Sequence, residues 1–191
     1  MEYEVETKII MAIAPPDLKI IETGQATTAE ALELFDSLEP VELNFMMGRW
    51  RGKGIDTGHP MDGMLEMSNW YGKEFIDAET VHPLLFADSN GKVFKVAPLS
   101  AAMDMVLKLP MPNNPSLKPL LIALNSLFKT EKSQARLRMQ EKRGKVTATM
   151  IYDYLPINDS FRKIDENRVF GIMDYKKISQ PFFFVLTRDL L

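Results

Sequence analysis

From Gly48 to Gly54 the chain reads Gly-Arg-Trp-Arg-Gly-Lys-Gly. In an extended backbone Trp50, Gly52 and Gly54 share one face, and Arg49, Arg51 and Lys53 share the other. A strand that sets one bulky ring inward and leaves the next two inward positions without side chains suits a tightly curved sheet or a barrel. Glycine inside a strand marks a bend, a bulge or a close approach. The bland reading of Trp50 is a core aromatic that plugs the base of such a barrel, with Gly52 and Gly54 making room for it.

Patterning elsewhere agrees. Ala135, Leu137 and Met139 alternate with Arg136, Arg138 and Gln140. After Arg143-Gly144, Val146, Ala148, Met150 and Tyr152 alternate with Lys145, Thr147 and Thr149, which predicts a hairpin with one dry and one wet face. Asn90-Gly91 marks a tight turn between strands at Thr80–Ala87 and Lys92–Ala97. With Lys73–Asp77, Arg168–Tyr175, Pro181–Arg188 and the Trp50 strand, the total is about eight strands.

Thr27 and Glu30 form a capping box ahead of a helical face at Ala31, Leu34, Phe35 and Leu38. Leu43–Met47 suits one further turn, Met61–Tyr71 a short helix carrying Trp70, and Leu117–Phe128 another. Tight turns favour antiparallel pairing over crossovers. The expectation is a mainly β chain: an antiparallel β-barrel or strongly curved sheet with two or three short helices. Residues 1–26 read as an N-terminal arm, with Lys8–Ile13 and Leu18–Glu22 as a hairpin or as a cover for a partner. Residues 27–191 read as one barrel domain: a half at 40–100, a helical and proline-rich connector at 101–130, and a second half at 131–191.

Composition narrows the function classes. The 191 residues are 46% hydrophobic, enough for one sizeable core, and a net charge of −3 gives no surplus for gripping nucleic acid. With no cysteine there are no disulfides, thiolate nucleophiles or zinc–thiolate sites, which suits a reducing compartment such as the cytoplasm. The start, Met1 to Glu6, is acidic where a signal peptide would be basic, and Ile9–Ala14 is too short to span a bilayer. A cytoplasmic protein without stable membrane insertion is expected. His59 and His82, the only histidines, are not in metal-ligand spacing, so neither a metal nor another cofactor is expected.

The Gly48–Gly52 run, continued by Thr57-Gly58-His59-Pro60-Met61-Asp62-Gly63 and His82-Pro83-Leu84-Leu85-Phe86, resembles the GXWXG domain family. The stretches Met150-Ile151-Tyr152-Asp153-Tyr154-Leu155-Pro156, Phe161-Arg162-Lys163 and Met173-Asp174 resemble the DUF4334 domain that follows it. Together these cover roughly residues 40–190, in the expected order. No activity travels with this resemblance. A weaker likeness runs to calycins: lipocalins, fatty-acid-binding proteins and nitrobindin-like proteins. In lipocalins a basic residue near the last strand packs over the Gly-x-Trp tryptophan. That likeness implies Arg188 over Trp50, closing the base of the barrel.

Four groups of residues are candidates for a site. His82 interrupts an apolar strand and is either a satisfied core histidine or a group that orients a ligand or moves a proton. Tyr152 falls on the dry face of its strand, where a hydroxyl would be a polar handle inside an apolar cavity. Asp153, Asp159 and Arg162 make a polar cluster that either pairs around a corner or serves that cavity. Met103, Met105 and Met111, in the proline-rich middle, suit a flap over the barrel mouth, ordinary core or a dimer contact.

The reading these support is binding of a small hydrophobic molecule, a lipid, isoprenoid or aromatic, in a pocket drawn from Trp70, His82, Met139, Met150, Tyr152 and Phe184. The alternative is a small isomerase or hydratase-like enzyme using His82 with Tyr152 or Asp159 as acid and base. A third reading is a self-associating protein, such as a homodimer.

Overall fold

The computed structural model describes residues 18–98, 122 and 125–190. Among the described residues, the short helices α1 (Lys19–Thr23), α2 (Thr28–Ser37) and α3 (Met64–Met67) accompany ten strands. The strands are β1 (Glu39–Pro40), β2 (Gly48–Ile55), β3 (Trp70–Phe75), β4 (Val81–Ala87), β5 (Val93–Lys95), β6 (Ala135–Lys142), β7 (Lys145–Tyr152), β8 (Ile157–Asp165), β9 (Arg168–Tyr175) and β10 (Ile178–Arg188). Eight of them pair in the ring β8-β7-β6-β4-β3-β2-β10-β9, which β8–β9 pairing closes, while β1 and β5 add to β8 and β4. Every strand pairing is antiparallel. The chain is mainly β, an antiparallel barrel with short helices, and a closed ring leaves its eight strands no free edge.

Two apolar layers hold the wall. Inside, Trp50, Phe75, Val81, Leu137, Met150, Phe161, Phe184 and Leu186 pack with their neighbours in one core. Outside, Ala31, Leu34 and Phe35 of α2 cover Ile55, Phe170, Ile172, Phe183 and Val185. Helix α2 begins as its sequence predicts: Thr27 Oγ1 accepts from the Glu30 N–H at 3.2 Å, and Glu30 Oε2 accepts from the Thr27 N–H at 2.7 Å.

Several sequence expectations change. Leu18–Glu22 does not form strand; it gives α1, ended by the left-handed Gly24. Trp70 lies on a strand rather than a helix. Strand β8 was not expected, and β5, counted among the eight, is an appendage to β4. The outer face of β7 is dry: Thr147 accepts from the Val41 N–H at 3.0 Å and donates to the Phe161 carbonyl at 2.6 Å, and Thr149 pairs with Ser160 at 3.0 Å. Val146, expected inward, is 54% exposed near the hairpin tip. The Met103, Met105 and Met111 flap, Lys8–Ile13, and most of the Leu117–Phe128 helix lie outside the described residues; within that helix, 122 and 125–127 are helical.

Candidate functional site

At one end of the barrel Trp50 and Arg188 face each other across β2 and β10. The guanidinium carbon lies 4.2 Å from the indole centroid, within cation–π range. The Trp50 Nε1–H donates to the Met46 carbonyl at 2.7 Å, from the 3-10 turn Leu43–Met46 that crosses this end. Arg188 donates from Nη1 to Met47 O at 2.9 Å and from Nη2 to Phe45 O at 2.8 Å. This end is tied shut by partnered groups.

The next layer inward is built by two bulges. Between the pairs Trp70↔Phe86 and Gly72↔Leu85, β3 carries one extra residue; between Gly72↔Leu85 and Glu74↔His82, β4 carries one. Gly72 has φ +148°, and a Cβ there would lie 1.9 Å from the Trp50 carbonyl oxygen, so only glycine fits. The first bulge reverses the alternation ahead of Gly72. Tyr71 turns out to Arg51 and Asp189, and Trp70 turns in. The Trp70 ring lies in the space of the missing Gly52 side chain, where a Cβ would be 2.1 Å from it. Phe184 fills the corresponding gap at Gly171, with 2.4 Å to a hypothetical Cβ. Gly52 therefore makes room for Trp70 rather than for Trp50.

Between these rings lies an ion pair that the sequence reading missed. Lys73 is the register partner of Trp50 and shares its inward face. Asp159 stands on β8, halfway around the ring, inward with Phe161. Their side chains meet at 2.8 Å, Nζ to Oδ2, and are 4% and 1% exposed. Nζ also donates to Pro83 O at 3.2 Å, in the segment displaced by the β4 bulge. It lies 5.5, 5.8 and 5.1 Å from the ring centroids of Trp70, Tyr152 and Phe184. Asp159 Oδ1 and Trp70 Nε1 are buried without any hydrogen-bond partner. Desolvation pushes the Asp159 carboxyl above its ordinary value, against the pull of the Lys73 ammonium. Burial, with the Asp159 charge second, pushes the Tyr152 phenol well above its own.

Of the expected site residues, Trp70, Met150, Tyr152, Phe184 and Asp159 meet in or beside this interior layer, and Met139 packs partly buried against the same core. His82 does not join them. As the register partner of Glu74 it faces out through the wall, opposite to Lys73. Its electrostatic neighbours are Lys95, Glu74 and Glu131. Its value is lowered mainly by burial, then by Lys95, and its Nδ1 has no partner. A His82 acid–base pair with Tyr152 or Asp159 is therefore not assembled; strand alternation sends them to opposite faces. Arg162 is also outside, over the Phe35 ring at 4.6 Å and donating to Lys142 O at 2.7 Å, so it does not pair with Asp159. His59 is buried in the loop before α3, edge-on to Phe182 at 5.4 Å.

Among the described residues no group of three or more His, Asp or Glu gathers as metal ligands. Nor is any helix there long and apolar enough to cross a membrane.

A family model described as GXWXG protein matches residues 33–91, and one described as domain of unknown function (DUF4334) matches residues 133–188. Among solved structures, a protein from Thermomonospora curvata is 36% identical, with 90% of this chain and 94% of that one covered and a TM-score of 0.67. This chain belongs to the GXWXG–DUF4334 family. No curated protein matches it. The two family regions contribute opposite walls of the barrel: β2, β3 and β4 lie in the first, and β6 to β10 in the second. In this GXWXG–DUF4334 chain both Trp50–Arg188 and Lys73–Asp159 join one region to the other.

Lys73 was legible in principle. The expected Lys73–Asp77 strand already puts Lys73 in phase with Phe75, and a β8 strand would have put Asp159 in phase with Phe161.

Proposed function

We propose that this GXWXG–DUF4334 protein binds a small, mainly apolar molecule inside its barrel, with the polar end of that molecule at Lys73–Asp159. One observation carries the reading. In a mostly apolar interior, Asp159 Oδ1 and Trp70 Nε1 of this layer are buried with no hydrogen-bond partner. An unmade buried hydrogen bond costs roughly 1–3 kcal/mol, and a ligand group that supplied it would recover that penalty on binding. The rings of Trp70, Tyr152 and Phe184 offer the apolar contact that small-molecule sites combine with a few polar groups. Acid–base catalysis through His82 draws no support from its outward placement. The lack of cysteine remains in keeping with a cytoplasmic setting.

Native mass spectrometry of freshly purified protein, before and after organic extraction, tests the proposal. A co-purifying apolar molecule that extraction removes and that rebinds is the expected result. If the wild-type protein is always empty and takes up none of a panel of apolar aldehydes, alcohols and acids, the proposal fails.

A further inference from the structure

The interior pair is already neutral as a unit, and this restricts what can join it. A ligand carboxylate would place a second negative charge beside Asp159, and a ligand ammonium a second positive one beside Lys73. Either would leave a net charge in a dry site, which proteins avoid. The polar end of the ligand must then be neutral. The group facing it is a primary amine, and among the described lysines Lys73 alone is buried. It is ringed by three aromatic side chains and has a carboxylate at 2.8 Å. Lysine amines are the nucleophiles that form Schiff bases with carbonyl carbons, and desolvation among apolar side chains favours the free amine.

We infer that Lys73 takes up an apolar aldehyde as a Schiff base, with Asp159 carrying the proton and then serving as counter-ion. The inference rests on reading the interior as the binding site. The steps balance without an oxidant or reductant. Asp159 accepts a proton from the Lys73 ammonium. The free amine nitrogen adds to the aldehyde carbon, forming the C–N bond as the carbonyl π bond breaks, and the proton shed by nitrogen moves to the oxygen. Asp159 then returns its proton to the carbinolamine hydroxyl, which leaves as water while C=N forms. The product is an iminium on Lys73 facing the Asp159 carboxylate, so the charge balance of the empty site is kept. The elevation of the Asp159 carboxyl by burial makes it a better proton acceptor for the first step. The wall is least continuous beside this site, since β4 and β6 pair only at Val81 and Ala135.

The test uses the full chain with 4-isopropylbenzaldehyde and sodium cyanoborohydride, followed by digestion and peptide mapping. The expected result is early reduced adduct on Lys73, ahead of exposed lysines such as Lys92 and Lys132, with the preference lost in heat-denatured protein. Asp159→Asn should slow trapping at Lys73 about tenfold or more. Adduct spread over exposed lysines with Lys73 unmodified would overturn the inference, and that readout needs no variant. Trapping at the wild-type rate in Asp159→Asn would remove Asp159 from the steps. Calorimetric titration with 4-isopropylbenzyl alcohol, which cannot form an imine, separates the two readings. If the alcohol binds inside and Lys73 is not trapped, the Schiff base fails and the binding site stands. If neither compound binds, both fail.

Discussion

The two tryptophans, side by side in the same barrel, differ in how completely they are satisfied. Trp50 has its N–H on Met46 O and its face under Arg188. Trp70 has a fitted seat over Gly52 and a ring contact with Phe184, but no partner for its N–H. A buried polar group without a partner in a well-packed wall is a place where stability has been given up, and such places cluster at sites that receive something from outside. Trp50 is the closed end of the barrel; Trp70 and the Lys73–Asp159 pair are its unfinished part.

Several substitutions would sharpen or break that contrast. The largest effect is expected at the ion pair. Lys73→Met should cost about 3–5 kcal/mol in urea denaturation by stranding Asp159, while Lys73→Met with Asp159→Leu should recover most of it. If Lys73→Met alone is neutral, the pair is not the desolvated unit described. At the closed end, Arg188→Met removes two hydrogen bonds to carbonyls and the ring contact, with an expected loss of about 2–4 kcal/mol.

Gly52→Ala is expected to cost about 1–3 kcal/mol by overpacking and to shift tryptophan emission as the Trp70 ring is displaced. An unchanged spectrum would mean that the ring is not seated there. The paired test is milder. Trp50→Phe should lose about 1–2 kcal/mol with the Met46 hydrogen bond, whereas Trp70→Phe should change stability by less than about 1 kcal/mol because no hydrogen bond is broken.

The smallest expected effect is in pH. Burial holds His59 and His82 below the ordinary imidazole value. As pH falls through about 6.5, the unfolded chain gains protons that the folded chain refuses, so stability drops toward the folded values. Asp159 has the opposite sign. Its raised value makes its contribution full below the ordinary carboxylate range and lost as pH rises through the folded value. Denaturation midpoints measured across the acid range should fall less steeply below neutrality in His59→Asn and His82→Asn. An unchanged slope would place both imidazoles in water.

Much of the barrel could be read from the chain because its signals were local. The Thr27–Glu30 box, the Asn90-Gly91 turn and the 135–152 hairpin each depend on neighbours a few residues apart. Strand β8 was hidden because both of its faces are buried with mixed polarity: Asp159 and Phe161 inward, Ser160 and Arg162 under outer cover. Alternation of apolar and polar residues then says nothing. Trp70 was hidden differently. A bulge reverses the phase of β3, and nothing in Trp70-Tyr71-Gly72 alone shows that Gly72 must approach the Trp50 carbonyl. His82 followed from the same gap, since its face is known only once its register with Glu74 is known.

The ring of strands also has a mechanical reading. It consists of two shells, one from each family region, joined along two lines. On one side Trp50–Ile55 runs against Phe183–Arg188 without a break; on the other β4 and β6 pair only at Val81 and Ala135, and β1 adds a short tie to β8 at Glu39–Lys163 and Pro40–Arg162. That is the arrangement of a book with a bound spine and small clasps. Lys73 and Asp159 sit on facing pages, so a group that bridged them from within would add one more tie between the two shells.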